Sequence, residues 1–267
     1  HLSIRRQRQM CIRDRLYPWR QLAIDLIKEG QLPLWNPYTF SGMPLLANFQ
    51  SAVFSPFNFL FFLLPFNLAW GIIIFLQPLL AGFFLYLFLR QLKLRKLASL
   101  IGGFAFAFSG FFIAWLEWGT LLTTALWLPL ILLAIEKLLT NKESIRWSLI
   151  LVLSLCFQFF GGHLQTSFYL VLFSLVYLSW RLFTIKKQRR KFILLFSVVY
   201  LAFFLMTASQ WWPTLELIQL SAREIDQNQF NQPGWFLPWQ QLIQFLAPDF
   251  FGNPTTLNYW GVWNYAE

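Results

Sequence analysis

Long apolar runs separated by short polar connections occupy most of the chain between residues 67 and 210. A helix needs roughly 18 to 20 apolar residues to cross about 30 Å of hydrocarbon, and several runs reach that length. Two runs are shorter, as is typical of helices beside a cavity or in a locally thin bilayer. The pattern predicts an all-α polytopic membrane protein with about six transmembrane helices, at residues 67–89, 97–116, 120–135, 147–160, 165–185 and 192–210.

Residues 16–66 follow a different pattern. Apolar residues recur at helical spacing up to Gly30, and Asp25 and Glu29 lie one turn apart, so we predict an amphipathic helix there. The next stretch, residues 30–56, has four prolines and no charge, which excludes a continuous helix. Backbone exposed to lipid would lack hydrogen-bond partners. We therefore expect this loop to form interfacial or re-entrant structure that lines a cavity.

The composition agrees with a membrane protein, because 57% of the residues are hydrophobic, 20% aromatic and only 12% charged. Residues 1–15 carry five arginines and resemble translated sequencing-adapter sequence, so we expect them to be non-native; a basic cytoplasmic tail is the alternative. The predicted organisation then has residues 16–66 as an outer loop region and 67–210 as the transmembrane domain. Residues 211–267 form a second outer region that we expect to be truncated at its carboxyl end.

The net charge of +10 is unevenly distributed. Thirteen basic residues lie in three alternate connections, at 90–96, 137–146 and 181–191, so we predict that these connections face the cytoplasm. The opposite connections hold eight of the eleven acidic residues. Because the basic residues flank helix ends and do not form one stripe with interleaved aromatics, the distribution excludes nucleic acid as a partner.

Several motifs carry a resemblance as a set: "YPWRQLAIDLIKEGQLPLWNPYTFSGMPLLANFQ", "GFAFAFSGFF", "GGHLQTSFY", "PTLELIQLSAR" and "LAPDFFGNP". Residues 16–267 resemble the YfhO-like family of bacterial multi-pass membrane proteins. The resemblance implies a GT-C type glycosyltransferase in the cytoplasmic membrane, with a cavity at the outer face. It implies sugar transfer from a polyprenyl-phosphate-linked donor to an envelope glycopolymer such as lipoteichoic acid, with membrane lipids, donor and acceptor as the partners.

Sugar transfer to a hydroxyl needs a carboxylate that accepts the proton. The family pattern implies an aspartate in the first outer loop, shortly before a Pro-Trp pair. Asp14 is the nearest match, but it lies in the segment expected to be non-native. Asp25 is the remaining aspartate of that loop and is our predicted catalytic base; the alternative is that it only solvates the flank of an interfacial helix.

Five further residues are predicted to bind substrate. The guanidinium N–H groups of Arg223 could bind a phosphate; the alternative is that Arg223 forms a salt bridge with Glu216 or Asp226. His163 follows two glycines at a helix junction, where it either hydrogen-bonds phosphate or sugar or caps a helix turn. Asp249 either lines the cavity or organises its own turn. Trp35 and Asn36, in the proline-rich loop, are the remaining two residues predicted to bind substrate.

No spacing typical of a Cys/His metal site or a P-loop is present in the sequence, and no cofactor is firmly implied. A divalent cation held by Asp25 or Asp249 with donor phosphate is a weaker option. Two other functional classes stay open. A transporter or flippase would carry polar groups inside its spans, where Gln77, Gln158 and Ser109 are the main examples. A non-catalytic scaffold would bind an envelope polymer without transferring anything.

Overall fold

A computed structural model describes residues 12–39, 41–140, 144–185, 188–221, 239–252 and 258–261. The described residues from Ile12 to Leu215 form one unit, and those from Glu216 onward belong to a second unit. Within the described ranges, the single sheet is a two-stranded hairpin and all other regular structure is helical. The predicted all-α class is therefore confirmed.

Helix α1 spans Tyr17–Lys28 and follows a π-helical turn at Ile12–Leu16. Its buried positions recur at helical spacing and form one stripe, at Leu16, Trp19, Arg20, Ala23 and Ile24. The chain leaves the helix at Gly30, whose φ of +77° lies in the left-handed region that glycine tolerates. The predicted amphipathic helix is present, and an arginine occupies its buried stripe.

The proline-rich loop after α1 divides into an exposed part and a buried part. A short antiparallel hairpin, β1 at Trp35–Asn36 and β2 at Met43–Pro44, belongs to the exposed part. From Leu45 onward most side chains are buried. This part contains 3-10 turns at Phe49–Ser51 and Pro56–Phe59 and the short helix α2 at Leu60–Leu63.

The remaining helices of the first unit run back and forth between two ends. They are α3 at Phe66–Gln91, α4 at Lys96–Ala107, α5 at Gly110–Trp115 with a 3-10 turn at Leu116–Trp118, α6 at Leu121–Ala125, α7 at Leu128–Thr140, α8 at Ser144–Phe159, α9 at Leu164–Thr184, α10 at Arg189–Met206 and α11 at Ala208–Gln219, which continues into the second unit.

All six predicted apolar segments contain helices, but they differ in their ability to cross a membrane. Four described stretches are long and apolar enough: Phe66–Gln91, Lys96–Trp118, Leu121–Thr140 and Leu164–Thr184. The sixth segment is bent by 60° between α10 and α11 and makes a fifth span if the pair is counted as one. The fourth segment is a shorter apolar helix, Ile145–Phe159.

The stretch Leu121–Thr140 lies at the centre of the bundle, because 78% of it is buried, against 22% of Phe66–Gln91. Helices α3 and α4 pack closely through small residues. A Cβ atom added at Gly103 would lie 2.6 Å from the carbonyl oxygen of Gly82, so the two backbones touch.

The two ends of the bundle differ in the residues that surround the helix ends. At the end that we call the basic end, α3, α7 and α9 terminate among exposed lysines and arginines. At the opposite end, which we call the loop end, α1 and residues 31–65 pack on the helices. The ring of Phe49 lies 5.0 Å from that of Phe159, and Phe57 lies 6.4 Å from Trp127.

The described part of the second unit is small and aromatic. It contains a 3-10 helix at Trp239–Phe245, and the Gln241 side-chain amide donates a hydrogen bond to the Tyr259 hydroxyl at 3.0 Å. The ring of Trp260 packs against Phe251 at 4.8 Å and Phe250 at 5.6 Å. These contacts join residues 239–252 to residues 258–261.

Candidate functional site

The loop end is built on residues 45–58, whose backbone is paired by side chains from distant helices. The Gln210 side-chain amide donates to the carbonyl of Leu46 at 2.9 Å, and the Thr214 hydroxyl donates to the carbonyl of Ala47 at 3.1 Å. The Asn58 side-chain amide donates to the carbonyl of Ala52 at 2.8 Å. Protein groups thus satisfy backbone that lipid would leave unpaired.

Two glycines allow the connection before α9 to fit tightly against this loop. A Cβ atom at Gly161 would lie 2.4 Å from the Thr124 hydroxyl oxygen, and one at Gly162 would lie 2.8 Å from the Ala52 Cβ. The buried Thr123 hydroxyl donates to the carbonyl of Gly161 at 3.0 Å. The loop end is therefore a close-packed platform held by uncharged hydrogen bonds.

His163 caps the first turn of α9. Its Nδ1 accepts a hydrogen bond from the Thr166 backbone N–H at 3.2 Å and lies 2.8 Å from the Thr166 hydroxyl. Burial lowers the pKa of His163, and an accepting Nδ1 places the proton of the neutral ring on Nε2. The structure therefore contains the capping arrangement that was left open from the sequence, and Nε2 keeps a donor for another partner.

Asp25 and Glu29 are exposed on α1 and face away from its buried stripe. Neither carboxylate has an ion-pair partner in the part of the chain that the structure describes. Both are therefore accessible to a soluble substrate. The catalytic role of Asp25 stays a prediction.

The two predicted site residues of the hairpin, Asn36 and Trp35, differ in their exposure and in their contacts. Asn36 is 3% exposed. Its side-chain amide nitrogen donates to the Thr39 hydroxyl at 2.9 Å, and its oxygen accepts from the Tyr38 backbone N–H at 2.9 Å. Asn36 thus organises its own turn. Trp35 is 53% exposed and covers Gly42, so most of its ring is available to lipid or a ligand.

Asp249 belongs to the second unit and is exposed. Its carbonyl oxygen accepts a hydrogen bond from the Gly252 backbone N–H at 2.9 Å, and Gly252 has a φ of +80°. Arg223 lies outside the described residues. Across the described ranges, no group of three or more His, Cys, Asp or Glu side chains could hold a metal ion.

Arg20 is a candidate residue that the sequence reasoning missed. Its side chain is 2% exposed, and its guanidinium lies 5.6 Å from the Trp70 ring centre. Within the described ranges its Nη1 has no hydrogen-bond partner. Burial lowers the pKa of Arg20 to about 10. The sequence did contain a signal for this residue, because Arg20 is a single basic residue inside the apolar stripe of α1. A buried arginine normally has a charged or hydrogen-bonding partner, so an arginine at such a position is a candidate for binding.

The apolar spans and the folded loop end define an α-helical, polytopic membrane protein. A family model described as "Bacterial membrane protein YfhO" matches residues 42–261, which is most of the chain. The chain therefore belongs to the YfhO family, as the sequence motifs predicted. Arg20 and Asp25 precede the matched region. No curated protein and no solved structure matches the chain significantly.

Proposed function

We propose that this chain is a GT-C type glycosyltransferase of the bacterial cytoplasmic membrane. It transfers a sugar from a polyprenyl-phosphate-linked donor to an envelope acceptor outside the cell. The observation that carries the proposal is the difference between the two ends. One end is a folded platform joined by uncharged hydrogen bonds, with exposed carboxylates beside it, and the other end concentrates exposed basic residues.

The distribution of charge supports an extracytoplasmic loop end. Lysines and arginines beside helix ends favour the cytoplasmic side of a membrane, and residues Lys93, Arg95, Arg146 and Arg189 are exposed at the basic end. The carboxylates of Asp25, Glu29 and Glu117 are exposed at the loop end. Chemistry at the loop end then takes place where the acceptor polymer is found.

The proposed reaction requires few protein groups. An acceptor hydroxyl attacks the anomeric carbon of the donor sugar, a new glycosidic bond forms, and the bond between that carbon and the phosphate oxygen breaks. The hydroxyl proton passes to the Asp25 carboxylate, and the polyprenyl phosphate leaves with the bonding electrons. The Nε2–H of neutral His163 is a proposed donor to sugar or phosphate. The phosphate-binding role of Arg223 stays a prediction, because Arg223 lies outside the described residues.

A deletion strain provides the test of Asp25. Wild-type chain should restore the missing envelope glycan and Asp25→Asn should not. Glu29→Gln should restore it and is the control, because Glu29 caps the end of the same helix and is exposed as Asp25 is. The readout is the sugar content of the envelope polymers by mass spectrometry, with membrane levels of each variant measured in parallel. Full restoration by Asp25→Asn would remove Asp25 from catalysis.

One observation favours a second function, transport or flipping of a lipid-linked saccharide. Gln77 and Gln158 are each 0% exposed within apolar helices, and neither polar atom of either side chain has a hydrogen-bond partner in the described part of the chain. Polar groups inside a membrane bundle often mark a pathway. Proteoliposomes that move a lipid-linked sugar between leaflets without transferring it, and lose this movement in Gln77→Leu, would support transport. A scaffold without turnover would bind the polymer and show neither activity.

A further inference from the structure

Arg20 is a positive charge inside the loop end without a negative partner. No carboxylate pairs with it among the described residues, and its Nη1 lacks any hydrogen bond. With a pKa of about 10, the guanidinium remains protonated at neutral pH. Burying an unpaired charge is strongly unfavourable. A fold that retains such a group points to a ligand that supplies the missing negative charge.

The surroundings of Arg20 fix its position. Its guanidinium lies against Trp70, whose ring is held by Tyr17 at 5.7 Å and Phe66 at 6.1 Å. The Tyr17 hydroxyl donates to the Asn67 side chain at 2.5 Å and thereby ties α1 to the start of α3. Because an aromatic ring contacts the face of a guanidinium, the N–H groups at its edge remain available for an anion.

A second unpaired donor belongs to the same cluster of side chains. Trp118 and Trp70 both pack against one hydrophobic cluster, which includes the residues Leu16, Trp19 and Ala23 of the stripe that contains Arg20. The indole Nε1 of Trp118 is buried and has no acceptor among the residues that the structure describes. This cluster therefore presents two kinds of N–H donor, guanidinium and indole, and the loop-end carboxylates Asp25, Glu29 and Glu117 are exposed and do not neutralise it.

From these contacts we infer that Arg20, assisted by the Trp118 N–H, binds a phosphate group at the loop end. Trp70 is the fifth residue of the span Phe66–Gln91, so the site lies where that span meets the headgroup region. Phosphate is the anion that lipids carry at this depth, and a guanidinium fork matches its oxygens. The phosphate comes from a lipid headgroup or from solution, and the two sources are separable by experiment.

Removing the Arg20 charge should not destabilise the unliganded protein. Arg20→Met retains most of the length and volume of the side chain but removes the charge. Because Arg20 has no hydrogen bond or ion pair to a described residue, the variant loses only the charged contact with the Trp70 ring. The unliganded variant should therefore unfold close to the wild-type temperature or above it. An arginine with a structural role would show the opposite, a clear loss of thermal stability.

The test uses the purified full chain in a neutral detergent. Thermal unfolding is followed while a polyprenyl monophosphate, the polyprenol of equal length or inorganic phosphate is titrated. We expect the polyprenyl monophosphate to raise the unfolding temperature more than the polyprenol does. Arg20→Met should weaken phosphate binding by about tenfold or more, Arg20→Lys should weaken it less, and the exposed control Lys28→Met should bind as wild type does.

The arms of the titration identify the source of the phosphate. A response to polyprenyl monophosphate that inorganic phosphate reproduces at equal concentration identifies free phosphate as sufficient, whereas a response to the lipid alone identifies a headgroup. Equal responses to polyprenol and its phosphate, or binding unchanged in Arg20→Met, would overturn the inference. So would a destabilised unliganded Arg20→Met. Binding without sugar transfer would contradict the proposed function and leave this inference intact.

Discussion

The basic end and the loop end of the bundle stabilise their helices by different means. At the basic end, Arg181 and Glu136 form a two-pronged ion pair, with 2.5 Å from Nε to Oε1 and 2.9 Å from Nη2 to Oε2. The Tyr177 hydroxyl donates to the same carboxylate at 2.8 Å. This pair joins α7 to α9, and its carboxylate is only 3% exposed.

At the loop end, hydroxyls, side-chain amides and a neutral histidine make the corresponding connections. The charged side chain buried there, Arg20, is unpaired among the residues described. Where an arginine joins two helices, as Arg181 does, this fold supplies a buried carboxylate for it. The unpaired state of Arg20 is therefore informative about function.

Breaking the ion pair should have the largest effect. Arg181→Gln leaves Glu136 as a buried, unpaired charge and should lower the free energy of unfolding by about 3–5 kcal/mol. Equilibrium unfolding in mixed micelles measures the change. The double variant Glu136→Gln with Arg181→Gln should recover much of the loss, because no charge then remains buried. If Arg181→Gln has no effect, the two ends do not differ as described.

The tight fit of the loop end predicts the next largest effect. In Gly161→Ala the new methyl group would meet the Thr124 hydroxyl oxygen at 2.4 Å and its backbone nitrogen at 2.8 Å. We expect a loss of about 1–3 kcal/mol in the free energy of unfolding. Gly110→Ala is the matched control, because nothing lies within 4 Å of its added Cβ. Equal losses of stability in the two variants would show that the loop end shifts to accommodate the new methyl group.

The hydrogen bonds between α11 and the loop should contribute less. Thr214→Val leaves the Ala47 carbonyl without its donor and should cost about 1 kcal/mol. Hydrogen exchange should show faster opening of residues 45–58, while Thr214→Ser stays close to wild type. At the basic end, Thr184→Val alters an exposed hydroxyl and should leave exchange unchanged. Faster exchange in both variants would remove the contrast between the ends.

The smallest predicted effect depends on pH. The pKa of His163 is lower in the folded protein than its ordinary value of 6.5, so the folded state binds fewer protons than the unfolded state. Its contribution to stability is complete above about pH 6.5 and is lost as the pH falls through the folded pKa. Between pH 7.5 and 5.5 we expect the thermal midpoint to fall slightly as this contribution is lost.

The control for this effect is His163→Asn, which retains an N-cap side chain but does not titrate in that range. The thermal midpoint of His163→Asn should therefore depend less on pH than that of wild type. An identical pH profile in wild type and His163→Asn would exclude His163 as the titrating group.

The sequence predicted the spans well because apolar length is a property of a continuous segment. It predicted one helix over residues 192–210, whereas the structure bends by 60° near Thr207, whose hydroxyl donates to the carbonyl of Phe203 at 2.9 Å. Hydroxyl side chains that bond back to a helical carbonyl often accompany bends. A hydropathy pattern does not register such a local contact.

The candidate site was harder to predict because it depends on contacts between distant residues. The prediction of Asp25 as the catalytic base depends on its residue type and its place in the outer loop, whereas the exposure of its side chain on α1 is seen only in the structure. The burial of Arg20 depends on Trp70, fifty positions along the chain, and the pairing of Leu46 depends on Gln210. Neither contact follows from local spacing.

The contact between Gly82 and Gly103 bears on how the protein enters the membrane. Helices α3 and α4 are joined by a short turn, and their backbones touch with no room for an acyl chain between them. Two such helices can leave the translocon together as one hairpin. The later spans would then assemble against a preformed pair, and the order of synthesis would match the order of packing.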